Sequence, residues 1–141
     1  MAGYDRSLYT MYLQQVPMFR ACSQEEIDDI AKLGVALSAH ESQEIIRQGE
    51  PGAEFFVIVA GTVDVSRDGT SVAHLGSGDY FGELALFDPA PRNATVAATS
   101  PTTLVAVSRE AFRELLGEVS SLRDAILAGM AKRLHELEGR A

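Results

Sequence analysis

From residue 35 to residue 108 the chain returns again and again to short β-branched runs, and turns rich in glycine separate them. The runs occupy 35–38, 44–47, 55–60, 62–66, 71–75, 94–98 and 103–108; between them lie Gln48-Gly49-Glu50-Pro51-Gly52, Ala60-Gly61, Arg67-Asp68-Gly69 and Gly76-Ser77-Gly78-Asp79. Such residues favour a pleated, half-buried backbone, and many short strands at this spacing indicate a jelly-roll or barrel rather than a parallel sheet. The expected fold is therefore mainly β. Asp68-Gly69, set between two alternating runs, predicts a hairpin.

Helical patterning flanks this region on both sides. In residues 1–34, Leu8, Met11 and Tyr12 share one helix face and Pro17 ends that helix. Ser23 followed three residues later by Glu26 is a capping-box signature, Ile27, Ile30 and Leu33 form an apolar stripe, and Gly34 is the stop. Leu8, Met11, Met18 and Phe19 are expected in the core. In residues 109–141, Phe112, Leu115 and Leu116 make one face, residues 119–121 a break, and Leu122, Ile126, Met130, Leu134 and Leu137 the stripe of a longer helix ending at Gly139.

A chain of 141 residues with 46% hydrophobic and 23% charged residues reads as one globular domain that needs no staple. Its 12 basic and 20 acidic residues leave a net charge of −8, which opposes general attraction to nucleic acid or an anionic membrane. Cys22 is the only cysteine, so no intramolecular disulfide forms. No apolar run suits a signal peptide or membrane span, and the cytoplasm is the default location.

The stretch from Phe81 to Val96 carries the chemistry. Gly82 permits close backbone approach to a ligand, and a short helix beginning there would turn its amides toward an anion. Arg92, nine residues beyond Glu83, adds a permanent charge and a planar fork of donors suited to two phosphate oxygens. Glu83 would repel a free phosphate but accepts hydrogen bonds from a sugar hydroxyl. The segment therefore asks for phosphate and hydroxyl in one molecule, as a cyclic nucleotide offers. Read singly, Arg92 would be a surface partner of Asp88 and Glu83 a solvated acid; the joint pattern argues otherwise.

Phe81-Gly82-Glu83-Leu84-Ala85, followed by Pro91-Arg92-Asn93-Ala94-Thr95-Val96, resembles without a gap the phosphate-binding cassette of the cyclic nucleotide-binding domains found in the catabolite activator protein, protein kinase A regulatory subunits and cyclic nucleotide-gated channels. The resemblance implies an eight-stranded β-roll with short N-terminal helices and C-terminal B and C helices. It implies that Glu83 binds the ribose 2′-hydroxyl and Arg92 the cyclic phosphate, while amides at Gly82, Leu84 and Ala85 complete the cradle. Asn93 and Ala94 belong to the same candidate set. Asparagine stands where relatives often carry alanine, serine or threonine, and it can meet either phosphate or base edge. Cyclic AMP is favoured over cyclic GMP as the commoner bacterial-type ligand. Arg133 and Leu137 fall where several channel-type members place lid contacts; equally, Arg133 is solvated or pairs with Glu136 and Leu137 is core or dimer seam. The family mechanism implies that ligand capture moves the B and C helices through Leu84, Leu86, Phe87, Phe112 and Leu115.

Three functional classes follow. The first is a non-catalytic cyclic nucleotide sensor without a resident cofactor, acting on a protein effector or as a homodimer through its C-terminal helix. The second is an interaction module on the same fold without nucleotide. The third, a cupin-type metal barrel, is disfavoured because His40, His74 and His135 are isolated in sequence. Gly76, Gly78 and Gly82 do not match a dinucleotide fingerprint in spacing, and Asn93-Ala94-Thr95 is a glycosylation sequon only by accident of the cassette.

Overall fold

A computed structural model describes residues 6–88 and 90–138, with side chains as far as Ala131. Helices α1 (Arg6–Gln15) and α2 (Gln24–Ala31) precede eight strands: β1 (Val35–Ala39), β2 (Glu44–Ile46), β3 (Glu54–Ala60), β4 (Val63–Arg67), β5 (Thr70–Leu75), β6 (Tyr80–Phe81), β7 (Thr95–Ala98) and β8 (Thr102–Ser108). Helices α3 (Arg109–Glu118) and α4 (Ser120–Glu138) follow. The strands form two antiparallel four-stranded sheets, ordered β1-β8-β3-β6 and β2-β7-β4-β5. This is the β-roll that the resemblance implies.

Strand β3 is apolar almost throughout because both of its faces are covered. Phe56 and Ile58 point between the sheets, joining Val63, Phe81, Val96, Leu104 and Ala106. Phe55 and Val57 point the other way, into a second cluster with Tyr9, Leu13, Phe19, Ile27, Val105, Val107, Phe112, Leu122 and Ile126. Alternation along β3 and β8 thus builds two cores, one inside the roll and one beneath the helices. Phe112 is fully buried and packs against Phe19 and Phe87 at 6.0 and 5.7 Å between ring centres; its truncation would cost roughly 3–5 kcal/mol.

The β4–β5 turn places Asp68 at φ 54° and Gly69 at φ 81°, the left-handed pair that a two-residue hairpin requires. Ser23 caps α2 reciprocally with Glu26: the Glu26 N–H donates to Ser23 Oγ at 3.1 Å, and the Ser23 N–H donates to Glu26 Oε1 at 2.8 Å. Val119 separates α3 from α4, where the break was expected. The expected stop at Gly139 lies outside the described residues.

One face was misread. Leu8 and Met11 are 38% and 47% exposed, whereas Tyr9, Leu13 and Val16 are buried. Tyr9, Leu13 and Val16 repeat at helical spacing as well, and their side chains meet β3, β8 and α2. Met18 and Phe19 are buried as expected.

Candidate functional site

The segment from Phe81 to Val96 leaves β6 through Gly82 in the left-handed region (φ 78°), makes one 3-10 turn over Glu83–Leu86, and enters β7 at Thr95. A cavity of about 320 Å³ lies against it. Gly82, Glu83, Leu84, Ala85, Arg92, Asn93 and Ala94 all line this cavity, with Ile46, Val65, Phe81 and Val96 as an apolar wall. Its size sits at the lower end of the roughly 300–1,000 Å³ common for small-molecule sites.

Arg92 is held from three directions. Its N–H donates to the Glu50 carbonyl at 2.9 Å, and its own carbonyl accepts from the Gly49 N–H at 2.8 Å. Its Nη2 donates to the Glu54 carbonyl at 2.9 Å, with Glu54 Oε1 at 3.9 Å. The side chain is only 7% exposed. It lies between two glycines: a Cβ on Gly52 would overlap its Nε, Cζ and Cδ, and a Cβ on Gly82 would stand 2.9 Å from Nη1. Burial draws the Arg92 pKa below its ordinary value, Glu54 opposes that, and the charge of Arg109 reinforces it. The expected alternative partner, Asp88, instead accepts from the Ala90 N–H at 3.1 Å.

Glu83 is half-buried, and burial pushes its carboxyl pKa up. The amides of Glu83 and Leu84 donate to that carboxylate and draw it partly back. The Ala85 N–H donates to the Gly82 carbonyl at 3.1 Å. Two of the amides expected at the cradle, those of Leu84 and Ala85, are thus engaged within the turn itself.

Among the candidate apolar links, Leu86 is fully buried, and Phe87 packs edge-on against Phe112 at 88°. Leu115 packs on the same core. Leu84 does not belong with them: at 67% exposed it stands at the cavity rim, because the 3-10 turn rotates it away from the core that takes Ala85 and Leu86. Arg133 and Leu137 lie outside the residues whose side chains are described. Among the described residues, the cavity is lined by no side chain of α4, which instead docks on the 3-10 turn Pro17–Phe19.

Sequence reasoning missed four contributors. Gly52 was read only as a turn residue, and Glu54, which opens β3, was given no role. Arg67 lines the cavity, and its Nε donates to the Asn93 carbonyl at 3.1 Å. Its position was legible, since Val63, Val65 and Arg67 alternate onto one face of β4. Arg109, the fourth, shows no signal in sequence. No helix of the described residues is long and apolar enough to cross a membrane.

The family model for "cyclic nucleotide-binding domain" matches residues 37–118. A cAMP-dependent protein kinase regulatory subunit from Eremothecium gossypii is 39% identical over 118 residues, covering 81% of this chain and 25% of that protein. This chain spans about a quarter of the length of that relative and of its counterpart in Mycosarcoma maydis. Among solved structures, the N-terminal domain of a transcriptional regulator from Streptomyces coelicolor superposes with a TM-score of 0.84 at 26% identity, covering 89% of this chain and 94% of that one. The cAMP-bound PfPKA-R structure gives 0.69 at 31% identity, covering 94% and 47%.

Proposed function

The chain belongs to the cyclic nucleotide-binding domain family, and from that premise we propose that it captures a cyclic nucleoside monophosphate, cyclic AMP in preference to cyclic GMP, and does so without transforming it. The observation that carries the reading is a single cavity lined by a buried guanidinium, Arg92, and an acid, Glu83. Arg92 pairs with the cyclic phosphate through charge-assisted hydrogen bonds, and Glu83 accepts from the ribose 2′-hydroxyl. Gly82 brings the backbone close to the ring, and Asn93 meets the phosphate or the base edge. The preference for adenine is supported by relatives named for cAMP and by a neighbour solved with it.

Binding works as a signal when the ligand prefers one arrangement of the C-terminal helices. Leu86, Phe87, Phe112 and Leu115 form the continuous apolar path from the cassette turn to α3. Arg133 and Leu137 are proposed to approach the base from α4, and the rearranged helix acts on a protein effector or a second copy.

A second reading, an interaction module without nucleotide, draws on one observation: the amides of Glu83, Leu84 and Ala85 already have acceptors in the Glu83 carboxylate and the Gly82 carbonyl. Calorimetric titration with cyclic AMP and cyclic GMP separates the two. The sensor reading expects saturable binding of one nucleotide per chain, tighter for cyclic AMP. Tighter cyclic GMP binding would overturn the preference alone, and no heat with either nucleotide from folded protein would leave the interaction module.

A further inference from the structure

Arg109, the first residue of α3, lies outside the cavity lining yet touches both walls that shape it. Its N–H donates to the Ala53 carbonyl at 2.7 Å. Its Nη1 donates to the Gly52 carbonyl at 3.2 Å and to the Ala85 carbonyl at 3.1 Å. Gly52 is the residue whose missing side chain leaves room for Arg92, and Ala85 lies in the 3-10 turn that carries Glu83. Ser108 caps the same helix end, its Oγ accepting from the Ala111 N–H at 3.1 Å. One guanidinium therefore fastens the β2–β3 loop, the cassette turn and the start of α3 at a single point.

Its charge acts on the same site. Arg109 is close enough to Arg92 to disfavour the charged form of that buried group. A phosphate placed between the cassette amides and Arg92 would relieve that repulsion, because an anion is attracted by both cations where the dielectric is low. Geometry and field thus favour the same outcome.

We propose that Arg109 is a positioning residue for the ligand site: by holding the carbonyls of Gly52 and Ala85 to the first turn of α3, it couples seating of the ligand phosphate to seating of that helix. The inference rests on the cyclic nucleotide reading and adds a residue that never touches the nucleotide. By reciprocity, whatever factor the seated helix adds to ligand affinity, the ligand adds to helix seating.

Arg109→Gln removes the charge and the fork, and Arg109→Lys keeps the charge but offers a point donor instead of a planar one. Affinity for cyclic AMP is measured by calorimetry, and hydrogen exchange over residues 82–87 and 109–118 is compared with and without cyclic AMP. Arg109→Gln is expected to weaken cyclic AMP at least ~10-fold, as for loss of one charged hydrogen bond. It is also expected to abolish the ligand-dependent change in exchange at 109–118. Arg109→Lys should fall between it and the unaltered protein in both, and it carries the test if Arg109→Gln does not fold. A purely stabilising stitch would lower the melting temperature while leaving affinity and the α3 response unchanged, and that result overturns the inference. If the unaltered protein binds neither nucleotide, the ligand reading fails; the clasp is then judged in the free protein, where unchanged exchange at 82–87 in both variants overturns it too.

Discussion

Gly52 and Arg92 share one space: the position a side chain would take at Gly52 is filled by the Nε, Cζ and Cδ atoms of the arginine. Gly52 has no left-handed backbone to protect, so alanine there acts by volume alone. Gly52→Ala is expected to push the guanidinium off the Glu54 carbonyl and weaken cyclic nucleotide binding at least ~10-fold, for an overpacking cost of about 1–3 kcal/mol in stability. Calorimetry beside urea denaturation checks both, and unchanged affinity would mean that the slot does not aim the arginine.

Glu83, the proposed acceptor of the ribose hydroxyl, carries a stability cost. Its carboxyl binds a proton more tightly in the folded protein than in the unfolded chain, since burial raises its pKa more than the two turn amides lower it. Its contribution to stability is therefore fully present below the unfolded pKa and is lost as pH rises through the folded pKa. Glu83→Gln should melt higher than the unaltered protein, by a margin that widens as pH rises from the ordinary carboxyl range through the raised folded value, while binding nucleotide more weakly. Melting curves that shift in parallel at every pH would contradict the burial of this group.

Cys22 is half-buried beside Glu26, and burial first, then that carboxylate, pushes its thiol pKa up to about 11. Alkylation depends on the thiolate. At neutral pH the folded protein should react with iodoacetamide far more slowly than the urea-unfolded chain. Equal rates would show an open, unperturbed thiol.

Gly129 lets α4 settle on the 3-10 turn before α2: a Cβ there would lie 2.6 Å from the Met18 carbonyl oxygen. In an open helix, alanine would stabilise by about 1 kcal/mol over glycine. Here close packing should reverse the sign, so that Gly129→Ala lowers the melting temperature and speeds exchange over residues 120–131. A rise in melting temperature would place α4 farther from that turn.

What the sequence made legible was local. The strand runs, the Asp68-Gly69 hairpin and the Ser23–Glu26 capping box each depend on residues a few positions apart, and each is present. Strand β6 escaped notice because it is only two residues, Tyr80 and Phe81, and its second residue opens the cassette. The face of α1 was misjudged because two apolar stripes fit the same helical period, and only the packing partners choose between them. At the site, Gly82 to Ala85 and Arg92 to Ala94 were readable as one motif, and they do line one cavity. The supports were not, because Arg92 meets Glu54 and Gly52 across the roll and Ala85 meets Arg109 from the start of α3. Such pairings come from antiparallel sheet topology and leave no periodic trace.

The central claim is that Arg92 and Glu83 grip one cyclic nucleotide, and a calorimetric titration of cyclic AMP into the unaltered chain, Arg92→Ala and Glu83→Ala tests it most directly. Loss of two charge-assisted hydrogen bonds should cost Arg92→Ala roughly 3 kcal/mol or more, at least ~100-fold in affinity. Glu83→Ala should lose at least ~10-fold, with both variants still folded by circular dichroism. Wild-type affinity in both folded variants would contradict the account.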